Sequence, residues 1–129
     1  MSLTKDALRE KIWQALTANK LARIPGAYGR IPNFVGAETA ARLLAKLDVL
    51  QSADTVKCNP NSPQRHVRHA ALKAGKVVCQ AVPRLPKPKP FIELDPTKLE
   101  ESALWSASSI RGVLKTTYQL TKREIRSLP

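Results

Sequence analysis

Residues 55–82 carry the pattern that leaves the fewest folds open. Thr55-Val56-Lys57-Cys58 is a short β-forming run closed by Asn59-Pro60-Asn61. Ser62 then offers a helix cap, Pro63 suits a first helical position, and Gly75 suits a helix end. Between them Val67, Ala70, Ala71 and Ala74 recur at helical spacing and predict a narrow buried stripe. Lys76-Val77-Val78-Cys79-Gln80-Ala81-Val82 follows, nearly continuous in apolar character, like a strand covered on both faces. Strand, helix and strand with such short joins predict a βαβ crossover between parallel neighbours.

That topology says where to look for a ligand. Open α/β sheets bind beyond the carboxyl ends of their strands. Here those ends are Asn59-Pro60-Asn61 and Val82-Pro83-Arg84-Leu85. Arg84 could fork onto a carboxylate or phosphate, with Asn59 and Asn61 as amide contacts. It could equally be a surface charge at a proline-bounded strand end. His66 and His69 stand three apart, a spacing that can bind metal, but no carboxylate or cysteine lies nearby to complete a site. With Arg65, Arg68 and Lys73 around them, the two are expected on a solvent face.

Upstream, Leu8, Ile12, Ala15 and Leu16 predict a helix over about 4–19, with Thr4 as its cap and Asp6 in its first turn. Lys5 and Arg9 sit four apart, one above the other. Like charges there cost an isolated helix a few tenths of a kcal/mol, which an adjacent phosphate would reverse. Local chemistry favours a solvated face. Pro25-Gly26 marks a turn. Next comes Arg30-Ile31-Pro32-Asn33-Phe34-Val35-Gly36-Ala37-Glu38, a stiff loop that runs into the Ala/Leu-rich residues 39–47. The free N–H groups of that second helix would suit an anion. The plainer reading is a loop-to-helix join with Phe34 tucked into the core. Ala40, Leu43, Leu44 and Leu47 predict the second helix's apolar stripe.

Downstream, Pro86-Lys87-Pro88-Lys89-Pro90 reads as a stiff extended spacer, and Phe91-Ile92-Glu93-Leu94 as a short strand. Asp95-Pro96 predicts another helix start. Residues 116–129 have little core-forming periodicity and are expected to fray.

Charge narrows the partners. The 129 residues carry a formal net charge of +12, which favours a polyanion: a nucleotide triphosphate, polyglutamate or nucleic acid. The cations are scattered, however. Two each of Trp, Tyr and Phe leave little for base stacking, so nucleic acid is the minority reading. No apolar run approaches the roughly 18 residues of a spanning helix, so no membrane partner is expected. The first residues lack a secretory apolar region, while Asp6 and Glu10 argue against a transit peptide. Cys58 and Cys79 are expected as buried free thiols in a reducing cytosol. Nothing here nominates a nucleophile–base pair or a metal cluster.

Longer motifs add a resemblance. The stretch 30–38, with Lys5, Arg9 and Trp13 before it and Pro60, Gln64, Val67, Arg68, Gly75-Lys76 and Pro83-Arg84-Leu85 after it, resembles the 5-formyltetrahydrofolate cyclo-ligase family. It is most similar to the methenyltetrahydrofolate synthetase domain-containing, or cyclo-ligase-related, branch, over roughly residues 4–115. The resemblance implies a partial open three-layer α/β sheet of Rossmann-like, cyclo-ligase type, represented by its N-terminal half at 1–115, with 116–129 a divergent tail. It implies a cytoplasmic enzyme that uses ATP and Mg2+ to phosphorylate the formyl oxygen of 5-formyltetrahydrofolate and close the ring to 5,10-methenyltetrahydrofolate. A complete domain of that kind is expected to be monomeric. Lys5 and Arg9 match the Lys-xxx-Arg that contacts ATP phosphates in that family, which reverses the solvated reading. Asn33, Phe34, Asn59, Asn61, Gln64, Arg68 and Arg84 are then the candidate crevice residues.

Two departures temper the expectation. Pro63-Gln64 stands where characterised members usually carry Gly-Glu, so a carboxylate is lost from the folate pocket. The family's glycine-rich, phosphate-cradling loop has no counterpart. The chain is therefore expected not to turn over substrate by itself. A non-catalytic nucleotide- or folate-binding role and a basic RNA-associated role stand as alternatives.

Overall fold

The computed structural model describes residues 2–81, 91–109 and 119–120. Two compact units divide the chain, Met1–Ala37 and Glu38–Pro129.

In the first unit, helix α1 spans Lys5–Ala18, and the Thr4 hydroxyl accepts from the Ala7 amide at 3.1 Å, as its capping chemistry predicts. The helix ends on Lys20, which holds a positive φ of 55° while the Leu21 amide bonds back to Leu16 at 2.8 Å. The apolar positions of this helix do not form a core face. No residue of α1 is buried, and Leu8 and Ile12 are 46% and 48% exposed. Trp13 and Leu16 alone are half-buried along it. The indole turns to the loop that follows, where its Nε1 donates to the Arg30 carbonyl at 3.1 Å. Tyr28 lies 6.0 Å from it, ring to ring.

Helix α2 spans Ala37–Leu44, with all but its first residue in the second unit, and begins after Gly36, whose φ of 99° supplies the turn. A short α3, Asp48–Ser52, was not legible in the sequence. Strand β1, Thr55–Cys58, leads through a 3-10 turn at Ser62–Gln64 into α4, Arg65–Lys73. The cap is Asn61 rather than Ser62, since its side chain accepts from the Gln64 amide. Gly75 closes α4 at φ 81°, with the Lys76 amide returning to Ala71 at 2.9 Å. Then come β2, Val77–Ala81, and β3, Phe91–Leu94. Val82 to Pro90, including the spacer, lie outside the described residues. Asp95-Pro96 opens only a 3-10 turn, Pro96–Lys98, because Leu99 reverts to extended backbone and packs against the core. A second 3-10 turn, Glu101–Ala103, precedes α5, Leu104–Ala107. Strand β4 is Gln119–Leu120.

The strands form one sheet in the order β1-β2-β3-β4. β1 and β2 pair in parallel, Thr55 with Val77 through Cys58 with Gln80, as the crossover pattern predicts. β2–β3 and β3–β4 are antiparallel. The molecule is thus α/β, with the expected parallel βαβ unit. Strand period places Val56, Cys58, Val78, Gln80, Ile92 and Leu94 on one face. There Leu72, Val78, Ile92, Leu94 and Leu104 form the core with Cys58, Ala71 and Ala107. Each large apolar side chain buried in this way contributes ~1.5–3 kcal/mol. Lys57, Cys79, Glu93 and Phe91 occupy the other face, with the Lys57 ammonium 5.0 Å over the Phe91 ring.

Two predicted stripes are displaced. On α4 the buried residues are Arg68, Ala71 and Leu72, whereas Ala74 is exposed. On α2 the buried residues are Ala37 and Ala41, and Leu43 stays 60% exposed. On α4 the sheet takes a face rotated from the all-apolar one, because the helix must bring Arg68 to the strand tips.

Candidate functional site

Arg68 organises the carboxyl end of the crossover. It is 1% exposed and makes no ion pair among the described residues. Its Nη1 donates to the carbonyls of Asn59 at 2.6 Å and Asn61 at 3.0 Å, and its Nε to Ser108 at 2.9 Å. One guanidinium thereby ties the end of β1 to the residue after α5. Burial pushes its pKa down to about 10, with the Cys58 thiol opposing and Arg65 adding to that, so it remains charged at neutral pH. Side-chain bonds finish the loop. Asn61 Oδ1 accepts from the Gln64 amide at 3.2 Å, and Gln64 Oε1 accepts from the Asn59 amide at 3.3 Å. Asn59 itself is exposed at the tip of β1.

Four candidate residues, Asn59, Asn61, Gln64 and Arg68, are therefore brought together. Arg68, Asn61 and Gln64 spend their polar groups on the loop itself. Arg84 lies outside the described residues.

Gln80 joins this group, although the sequence reading passed over it as part of an apolar run. It faces the same side as Cys58, is 1% exposed, and neither its Nε2 nor its Oε1 has a hydrogen-bond partner among the described residues. An amide interrupting Val77-Val78-Cys79 was the available signal, since a buried unpaired amide costs a few kcal/mol and is seldom retained without reason.

His66 and His69 are corrected. Rather than facing solvent they are half-buried against Trp105, at ring separations of 5.2 and 5.1 Å. Arg65 caps the same indole at 3.8 Å and donates to the Trp105 carbonyl at 2.8 Å. Burial holds the His69 pKa below its ordinary value, with Lys73, His66 and Arg65 adding repulsion. Among the described residues no three His, Cys, Asp or Glu side chains gather in a way that could hold a metal.

The first unit presents its own group. Lys5, Arg9 and Trp13 follow at four-residue intervals on one face of α1. Arg9 is held by Asp6, Nη1 to Oδ1, at 2.6 Å, with both side chains largely exposed. The loop beside them is closed by an antiparallel bridge between Ala22 and Phe34, with bonds from the Arg23 amide to Asn33 and the Val35 amide to Leu21. Phe34 is half-buried rather than tucked into a core, and Asn33 Oδ1 accepts from its amide at 3.0 Å.

Both cysteines are buried and free, as expected. No helix among the described residues is long and apolar enough to cross a membrane. No family model matches the chain, and no solved structure does. Curated proteins do match. The chain is 38% identical over 84 residues to a mouse methenyltetrahydrofolate synthase domain-containing protein, covering 64% of this chain and 23% of that one. The protein of the same name from zebrafish is 40% identical over 83 residues, and the human one 34% over 86, each match spanning 22% of the relative. The match thus spans under a quarter of these relatives' length. Across those 83 to 86 residues the chain is related to the methenyltetrahydrofolate synthase domain-containing proteins, as its motifs indicated.

Proposed function

We propose that this chain carries the binding half of a cyclo-ligase-like folate domain, whose full reaction converts 5-formyltetrahydrofolate to 5,10-methenyltetrahydrofolate at the expense of ATP. The observation that carries this reading is the 34–40% identity to proteins named for that synthase domain. Geometry supports it in two places. In the first unit the Lys5 ammonium and Arg9 guanidinium stand one turn apart on an exposed face, a fit for phosphate oxygens once Arg9 exchanges Asp6 for the nucleotide. In the second, the loop from Asn59 to Gln64 is held rigid from beneath by Arg68, leaving the Asn59 side chain at the strand tip for a pterin or its glutamate tail. ATP would supply the phosphoryl group that activates the formyl oxygen. With no metal cage among the described residues, magnesium would arrive on the phosphates.

Binding without turnover is the expected behaviour, because the described residues present no acid or base poised beside the strand tips. Thermal unfolding in saturating MgATP and in 5-formyltetrahydrofolate tests it. Ligand at a hundred times its Kd stabilises by about 2.7 kcal/mol. Arg9→Ala should lose the ATP shift and keep the folate shift, and a coupled ADP assay should stay silent. Turnover by the purified chain would restore the catalytic reading. If neither ligand moves the melting curve while single-stranded RNA does so in a salt-sensitive way, a nucleic-acid role replaces this one.

A further inference from the structure

A cavity of about 360 Å³ lies among α2, α3 and α4. Its position is set by the residues that the sequence assigned to a buried stripe: Val67 and Ala70 of α4, with Ala74 at its C-cap, line it together with Ala41 and Leu44 of α2 and Leu50 of α3. Alanines stand where longer side chains would let the helices interlock, so the space stays open. Its size falls at the lower end of sites that hold small organic molecules.

One charge enters this apolar wall. Lys76 lines the cavity, and its ammonium donates to the carbonyls of Gln51 at 3.0 Å and Ala53 at 2.7 Å. That uses two of its three N–H groups. No carboxylate among the described residues pairs with it. The geometry points to a binding site for a small monoanion with an apolar body, a medium-chain aliphatic carboxylate. Its chain fills the alanine-lined space, and its carboxylate takes the third Lys76 N–H and balances the charge. A polyanion finds only one cation here, and a peptide segment would bring backbone amides that this wall cannot satisfy. The site is independent of the folate reading. Lys76 and Ala53 precede β2 and β1, so the cavity sits at the amino ends of the parallel strands, whereas Asn59 and Arg68 mark the carboxyl ends.

Decanoate, held below its micelle concentration, is the probe, followed by amide chemical shifts of the full chain. Saturable shifts are expected at Leu44, Leu50, Ala70, Ala74 and Lys76, with Asn59 and Gln64 unmoved. Decanol should bind about tenfold more weakly, the loss of one charge-assisted contact. Lys76→Met should erase that preference. Ala74→Leu, which leaves Lys76 and the core untouched, should block both ligands. The proposal is overturned if decanoate gives no saturable shifts, if decanol binds the native chain equally well, or if Ala74→Leu leaves decanoate binding intact.

Discussion

The two units solve the same problem, holding polar groups in place, in opposite ways. In the second unit a guanidinium is buried to 1% exposure and held by three carbonyls, in a unit whose Leu72, Ile92 and Leu94 are equally buried. In the first, cations ride on a helix with no buried residue, and the following loop is pinned by one indole and a few backbone bonds. Charge in the first unit is free to meet a ligand. The buried charge of Arg68 in the second is committed to architecture. Candidate residues that look alike in sequence, Arg9 and Arg68, therefore have different roles.

The sharpest way to break this contrast is to remove each arginine. Arg68→Met removes the donor from the carbonyls of Asn59, Asn61 and the fully buried Ser108, and should cost ~3 kcal/mol or more in urea unfolding. Arg9→Met should change stability by under ~0.5 kcal/mol, because its pair with Asp6 is exposed. Equal effects would erase the distinction. A leucine pair probes the apolar side: Leu72→Ala should cost ~3 kcal/mol and Leu8→Ala less than ~1 kcal/mol, read by the same method.

Gln80→Leu should stabilise the second unit by about 1 kcal/mol, since the present amide is buried with both polar atoms unpaired. A loss of stability instead would show that an ordered water satisfies it. At the end of α1, Lys20→Gly should add ~0.5 kcal/mol by relieving a positive φ that an L side chain tolerates poorly. The smallest effect is a pH slope. Because burial depresses the His69 pKa in the folded chain, the unfolded chain binds more protons just below the ordinary imidazole value. Stability should therefore fall as pH drops through that window and level off below the folded pKa. His69→Gln should flatten the melting temperature across it.

Much of the second unit was legible because two local signals agreed. β-forming runs at 55–58 and 77–81 flanked a helical segment ended by Gly75, and strand pairing followed from that order. What escaped was the rotation of α4. Val67, Ala70, Ala71 and Ala74 read as the core face, because apolar spacing cannot reveal that a buried arginine will claim the sheet side. Gln80 escaped for the same reason: a polar residue within an apolar run is averaged away by any window. Asp95-Pro96 signalled a helix correctly at its first turn, but Leu99 had a better place against the core than on a helix surface. On α1, spacing identified the helix and Thr4 its start, yet nothing in the pattern stated that its apolar side would stay open.

Cys58 and Cys79 sit on adjacent strands one register step apart, with their side chains directed to opposite faces of the sheet. An oxidant cannot close a bridge through the sheet plane, so oxidative stress leaves the folded chain uncrosslinked. Each sulfhydryl comes within reach of an alkylating reagent only when the cover over its own face of the sheet lifts away. The two labelling rates thus time the uncovering of the two faces separately, without any added probe.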